Sequence, residues 1–591
     1  MTKMNAAIRN RLDFLYGPGT SAAAFTQLAT LLERHRPGPK ARGEAERQSL
    51  ASSDVLLIAY ADHIRAPGQP PLQTLAAFCQ RHLADVVSGV HILPFYPWSS
   101  DDGFSVKDYY AVAPEYGTWD DIAAFRPQFD LMFDAVFNHL SARGEWFQRF
   151  LRDAPEFRDF FITVQGNPDL SQVVRPRALP LLTEFHTAHG PEKVWTTFSA
   201  DQVDVNVKNP CVLVALLDAL LFYVAHGACF IRLDAIAYLW KEIGTTCIHL
   251  PQTHAVIQLM RAVLDEVAPH VQLITETNVP HAENVSYFGD GANEAQLVYN
   301  FALPPLVLHA LLRGEATHLT RWAATLQAPS DRTTFLNFLA SHDGIGLNPA
   351  RGLLPAAEID FLVERCQAHG GFINYQHNTN GSKSPYEMNI VYFDAVNDPT
   401  ASDSLETQVN RFMVAQAIML SLAGVPGIYL PSLFGSRNDR EAALQSGINR
   451  RINRQKLILS ELESELSDRG SLRSRVFERY CTLLNLRRSH AAFSPHAAQR
   501  VFEVDRRVFA VLRIAATSGD WVLCLHNVAN EPVTVDVATT EAGPATNWIE
   551  MLSGRSHMIS ENQTIRVTLR PYEVHWLAAQ GSRPVQIVAT E

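Results

Sequence analysis

The chain has 591 residues, 47% of them hydrophobic and 19% charged, with a formal net charge of −11. About 150 residues per domain implies three or four folding units, fewer if one is a barrel, and the composition is that of a soluble globular protein rather than a disordered one. Lys and Arg are scattered, which disfavours a nucleic-acid partner, and neither a bilayer-length apolar run nor a secretory h-region is found, which implies a cytoplasmic protein with no membrane partner.

To about Ser53 the pattern is helical, broken by RPGPKARGE, which reads as an exposed turn or linker. Eight short apolar runs follow, at Val55–Ala61, Val90–Pro97, Leu131–His139, Ala228–Ala235, Val271–Thr277, Leu297–Leu303, Thr334–Asp343 and Val425–Leu430. Most precede a segment of helical periodicity, such as Val212–Ala225 or Ala255–Val267. Strands alternating with helices imply parallel pairing, and eight of them imply an α/β fold closed into a (β/α)8 barrel.

Two connections are too long for plain barrel loops. Leu140–Val207 reads as a small inserted domain after the third strand. Asp343–Asn410, rich in Asn, Gly and Ser, reads as a structureless lid or binding loop. After about Pro495, RVFAVLRI, WVLCLHNV, VTVDV and TIRVTLRPYEVHWLAA alternate as antiparallel strands do. The expected division is 1–139 for the first part of the barrel, 140–207 for the insertion and 208–494 for the rest of the barrel with its long loop 344–410. Residues 495–591 form a C-terminal antiparallel β domain, read as sandwich-like.

The seven cysteines are widely spaced, odd in number and without a CxxC pair, which argues against a disulfide framework and a zinc site. The chemistry gathers instead at strand ends. In FIRLDAIAY (230–238), alternation turns Arg232 and Asp234 to the same side at a strand's C-terminal end. Taken alone, that is most simply a structural ion pair. Three other runs end the same way: FDAVFNH with Asp134, Asn138 and His139, ITETN with Glu276, and LASHDGIG with His342 and Asp343. If the barrel closes, Asp234, Glu276 and Asp343, two histidines and an arginine meet at one mouth. Paired carboxylates there are the equipment of a retaining glycoside-cleaving enzyme. Arg232 should hold Asp234 ionised as nucleophile, whereas Glu276 has no adjacent cation and suits the acid.

FDAVFNH, FIRLDAIAY, ITETN and FLASHDGIG stand in the order and spacing of the signature regions of the α-amylase superfamily, glycoside hydrolase family 13, which the chain resembles over nearly its whole length. The resemblance implies Asp234 as nucleophile, Glu276 as acid/base and Asp343 as the carboxylate gripping sugar hydroxyls, with His139, Arg232 and His342 around the reacting glucose. Within the superfamily, SSDDGFSVKDYY, VVRPRALPLL, TTFSADQVDVNV, YNFALPPLVLHAL and GINRRINR resemble the sucrose phosphorylase subfamily. That likeness implies Asp101 and Arg450 as a clamp on the glucose end, Phe104 stacked on the ring, Gln202 on its hydroxyls, and Tyr238 and Asn278 as further substrate contacts. Without it, Asp101 and Asp102 before Gly103 are simply a turn pair. Arg175 and Arg177 are then phosphate or acceptor ligands by charge-assisted hydrogen bonds, a basic surface loop being the plainer alternative.

Sucrose phosphorylases carry a histidine two residues after the acid/base where this chain has Asn278. KEIGTTCIHLPQTH, SHDGIGLNPARGLLP and GGFINYQHNTNGSKSPYEMNI look closer to glucosylglycerate phosphorylases. The implied reaction is cleavage of 2-O-α-glucosyl-glycerate by phosphate, with no cofactor and no metal, phosphate being the co-substrate. Glucosylglycerol, sucrose and sucrose 6'-phosphate are alternative substrates. A hydrolase or transglucosylase of the same fold and a non-catalytic interaction module are the other readings. The sequence does not set the oligomeric state; a homodimer is one option.

Overall fold

The computed structural model describes residues 3–36, 50–177, 179–378, 382–515, 519–538, 547–560 and 564–580. Nearly all of the RPGPKARGE segment lies outside them. Eight strands, β1 (Leu56–Ala59), β2 (Gly89–Ile92), β3 (Asp130–Ala135), β4 (Ala228–Leu233), β5 (Gln272–Thr275), β6 (Leu297–Tyr299), β7 (Thr334–Asn337) and β8 (Val425–Tyr429), pair in parallel and close into a barrel in chain order. β1 completes the ring against β8, with Leu56 opposite Gly427 and Ile58 opposite Tyr429. The strands are apolar on both faces because both are covered. Leu56, Met132, Phe230, Ile274, Leu297, Leu336 and Val425 fill the barrel, and a larger apolar layer packs its outside against the helices.

Local chemistry sets the helix starts. The helix Pro210–Ala225 begins on Asn209, whose side chain accepts from the Cys211 amide, with proline in its first turn. Ser404 and Ser471 cap Leu405–Ser421 and Leu472–Arg488 in the same way. The N-terminal helix Lys3–His35 is interrupted at Gly17, where φ is 74°, just before Pro18.

Three regions are added to the barrel. Between β3 and β4, the strand His139–Ser141 pairs with Gln202–Asp204, and a hairpin joins Leu182–Thr187 to Gly190–Trp195. Val164, Val173, Leu181 and Trp195 give that insertion a small core. In its described residues, the connection after Asp343, expected to be structureless, instead holds regular secondary structure. Ile345–Gly346, Lys383–Asn389 and Phe372–His377 form a three-stranded antiparallel sheet, and Ala356–Ala368 is a helix. Its strands mix polar residues with only a short apolar alternation, Tyr386 and Met388, so they do not stand out as strands in sequence. At the C-terminal end, a six-stranded sheet and a two-stranded sheet enclose a separate core that includes Phe502, Leu523, Val535 and Trp548.

Candidate active site

Strand register assembles the charged floor of the barrel mouth. Asp134 on β3 lies opposite Arg232 on β4, and Arg232 Nη1 donates to Asp134 at 2.5 Å and to Asp234 at 2.8 Å. Asp134 is fixed from its other side by His91, 2.6 Å away. Leu233 pairs with Thr275 on β5, so Glu276, the next residue, comes alongside Asp234. Arg232 Nη2 stands 3.9 Å from Glu276, and the Ala235 amide donates to Glu276 Oε2 at 3.0 Å. Ala235 takes a left-handed φ of 49°, uncommon for a residue with a Cβ, in the turn that presents this amide.

The other wall is built from loops. Asp343, after β7, is gripped by Arg450 Nη1, and its carbonyl accepts from Asn453 at 2.7 Å. His342 stacks on Phe104 with centroids 4.5 Å apart and planes 6° from parallel. Phe104 follows a turn in which Asp101 and Asp102 have φ of 54° and 48°. Gly103, at φ 112°, lies so close to Pro94 that a Cβ would sit 2.6 Å from its carbonyl oxygen. Asp102 is anchored by Arg451 and Arg454, each at 2.7 Å. Asp101 is left facing the pocket, where it accepts from Gln202 Nε2 at 3.4 Å. Gln202 also donates to the Phe104 carbonyl at 3.2 Å, and His139 Nε2 lies 2.9 Å from that same oxygen, which fixes a proton on that nitrogen.

Asp234, Glu276 and Asp343 therefore open into one pocket, along with Asp101, Phe104, His139, Gln202, His342 and Arg450. Tyr238, Asn278 and Arg177 line it too, whereas Arg232 is buried against its carboxylates. Arg175 is not among them. Its guanidinium turns back onto the Leu179 carbonyl, and it borders a separate surface hollow with Leu182 and Lys193. Phe198 and Tyr386 line the pocket as well, and neither was singled out in the sequence. Phe198 stands within TTFSADQVDVNV, so a motif pointed to its neighbourhood. Tyr386 stands within GGFINYQHNTNGSKSPYEMNI, so a motif pointed to its neighbourhood as well.

Electrostatics correct one expectation. Arg232 was expected to depress Asp234 alone, but its guanidinium is shared among Asp134, Asp234 and Glu276. Burial raises Asp234 well above the usual carboxylate range despite Arg232, with Glu276 and the other carboxylates adding to the shift. Burial also raises Glu276, although Arg232 and the Ala235 amide oppose it. Asp343 goes the other way: burial pushes it up, but Arg450, with smaller contributions from His342 and Arg232, holds it far below the ordinary range. Burial lowers His139 and His342, leaving both neutral near pH 7. Asp234 and Glu276 are thus both raised and act on one another, and of the two Asp234 has the closer contact to Arg232, 2.8 Å against 3.9 Å for Glu276. Such a pair can supply a nucleophile and an acid to one bound atom.

A parallel barrel with this carboxylate cluster at the C-terminal ends of its strands defines an α-amylase-type catalytic domain, and the family model described as "Alpha amylase, catalytic domain" matches residues 85–344. Glucosylglycerate phosphorylase from Spirochaeta thermophila is 49% identical over 96% of this chain and 98% of its own length. The protein of the same name from Escherichia coli is 45% identical over 97% of this chain and 100% of its own. The crystal structure of sucrose 6F-phosphate phosphorylase from Thermoanaerobacter thermosaccharolyticum shares the fold, with a TM-score of 0.71 at 24% identity, covering 88% of this chain and 99% of that one. The chain belongs to the α-amylase superfamily, glycoside hydrolase family 13, and within it to the family of the glucosylglycerate phosphorylases.

Proposed function

We propose that the protein is a retaining α-glucoside phosphorylase that uses phosphate to cleave 2-O-α-glucosyl-glycerate to D-glycerate and α-glucose 1-phosphate. The observation that carries the reading is that Asp234, Glu276 and Asp343 share one pocket with a cationic group, Arg177, on its wall. The near full-length likeness to glucosylglycerate phosphorylases supports the choice of aglycone.

In the first half-reaction, Asp234 attacks the anomeric carbon and forms a β-glucosyl ester. Glu276 gives its proton to the departing glycerate oxygen. In the second, Glu276, now a carboxylate, takes a proton from phosphate as a phosphate oxygen attacks the same carbon from the opposite face. Two inversions restore the α configuration, and Asp234 is released unchanged. Asp343, held anionic by Arg450, binds sugar hydroxyls as positive charge develops on the ring. Phe104 and His342 form a stacked aromatic wall, while Asp101, Gln202 and Arg450 close the glucose end.

Esterification of Asp234 neutralises the nucleophile while Glu276 becomes the anion, so the carboxylate pair keeps its charge and Arg177 is the cation that offsets the incoming phosphate. Arg177 suits the incoming phosphate and the glycerate carboxylate equally. The scheme needs no metal or organic cofactor. A reducing cytoplasm suits seven cysteines without a CxxC pair and supplies the phosphate.

The test is incubation of purified enzyme with 2-O-α-glucosyl-glycerate, glucosylglycerol, sucrose and sucrose 6'-phosphate, each with and without phosphate. α-Glucose 1-phosphate formed from glucosylglycerate only when phosphate is present is the expected result. Free glucose appearing at equal rates in both conditions would make the enzyme a hydrolase.

A further inference from the structure

One carboxylate behind the pocket wall takes no part in this scheme. Glu387 lies on Lys383–Asn389 in the long insertion, with its side chain fully buried. Both its oxygens are engaged by Arg450, whose Nε donates at 3.0 Å and Nη2 at 2.6 Å. That two-pronged contact fixes the guanidinium plane, and it leaves Nη1 as the nitrogen that meets Asp343. A buried ion pair is weak support for a fold, since well-packed apolar groups often replace it without loss. Its position behind the arginine that grips Asp343 therefore needs another account.

The backbone ties the same three residues together. Ile345–Gly346, which follows Asp343 almost at once, pairs antiparallel with the strand of Glu387, and Gly346 faces Glu387 in register. Gly344 lies between, in a space where a Cβ would sit 2.6 Å from Glu387 Cγ. Asn374, on the third strand, donates to Glu387 Oε1 at 3.2 Å. The strand that leaves Asp343 thus returns, through its sheet partner, to support the arginine that holds Asp343.

We propose that Glu387 is a positioning residue that acts through Arg450 to set the place and orientation of Asp343, and so couples the long insertion to recognition of the glucosyl unit. The inference rests on the proposed role of Asp343. Because Asp343 addresses the sugar rather than the leaving group, loss of Glu387 slows every donor alike.

The experiment measures kcat and KM on the full chain with α-glucosyl fluoride and with 2-O-α-glucosyl-glycerate, phosphate being the acceptor. The variants are Glu387→Gln, Asn374→Ala, Arg450→Met and the double variant Glu387→Gln/Arg450→Met, with Asp234→Asn as the check on the reaction itself. Glu387→Gln keeps the shape but sets an amide N–H against an arginine N–H. Displacing a substrate-positioning group by an ångström costs about 100-fold, so kcat/KM is expected to fall by about that factor for both donors. The double variant is expected to be no slower than Arg450→Met, because Glu387 works only through that arginine. Asn374→Ala removes the hydrogen bond to Glu387 and the one accepted from Asn449, next to Arg450, and is expected to cost about 3- to 10-fold, again on both donors; it decides the matter if Glu387→Gln does not fold. Rates within about twofold of the parent for the folded variants, or losses that add in the double variant, overturn the inference. Turnover retained by Asp234→Asn would instead overturn the reaction on which it rests.

Discussion

Two pairs of arginines in this protein keep different company. At the barrel mouth, Arg232 and Arg450 sit among the carboxylates of Asp134, Asp234, Asp343 and Glu387. Where the barrel meets the C-terminal domain, Arg487 and Arg513 are fully buried and donate to backbone carbonyls. Arg487 reaches those of Ser52, Asp54, Leu420, Gly424 and Phe493, and Arg513 those of Ser421, Ser494 and Ala497. Burial pulls Arg487 down to about 9 and Arg513 to about 10, which leaves both charged near pH 7. Carbonyl dipoles hold a cation without exchanging protons, so the joint is fixed through the physiological range. Carboxylates hold a cation and titrate as well, so the mouth can do chemistry. The same side chain staples in one place and tunes acids in the other.

The comparison predicts that substitutions at the mouth stop the reaction while sparing the fold. Asp234→Asn removes the nucleophile at nearly constant shape, and kcat should fall by about 10⁴-fold or more with little change in thermal midpoint. Glu276→Gln is the next largest. It should cost about 10³-fold on glucosylglycerate but about 10-fold or less on α-glucosyl fluoride, whose leaving group needs no proton. Equal losses on both donors would remove Glu276 from the acid role. The parent enzyme should show a bell-shaped kcat/KM. Asp234 must lose its proton, so rate is lost as pH falls through its raised pKa, and Glu276 must keep one, so rate is lost as pH rises through its own. The acid limb should lie above the ordinary carboxylate range, because the pair titrates together.

Much of this was legible in the sequence because barrel strands advertise themselves. Runs such as Ala228–Ala235 are apolar through both faces, and each of the eight expected runs overlaps a strand of the barrel. What escaped has physical causes. Glu387 and Tyr386 lie on a strand that opens with Lys383 and Ser384 and whose apolar alternation, Tyr386 and Met388, is too short for periodicity to find. The raised Asp234 depends on how one guanidinium is divided among three carboxylates, which come from β3, β4 and β5. Sequence spacing gave Arg232 to Asp234 alone and could not show the sharing. Arg175 and Arg177 are chemically identical two residues apart, and only the turn that folds Arg175 onto the Leu179 carbonyl separates them.

At the joint, the comparison predicts the reverse pattern. Arg487→Met keeps the bulk but strands five carbonyl acceptors, and it should lower unfolding free energy by about 3 kcal/mol. A denaturant midpoint measures that loss, and kcat per folded molecule should not change. A fall in kcat at unchanged stability would mean that the joint communicates with the mouth, and the division of labour would fail.

The smallest effect sharpens the boundary of the mouth itself. Arg177 lines the pocket and Arg175 does not. Losing one or two charge-assisted hydrogen bonds to phosphate is worth about 1.5 kcal/mol or somewhat more. Arg177→Met should therefore raise the KM for phosphate about 10-fold or more and divert part of the glucosyl-enzyme to water, so that free glucose appears beside glucose 1-phosphate. Arg175→Met should do neither, since its guanidinium holds a loop carbonyl and reaches no substrate. Matched losses in the two variants would mean that the basic loop acts as a diffuse field around the entrance. A loss confined to Arg177 would locate the acceptor's anionic group against the wall formed with Tyr386 and Tyr238.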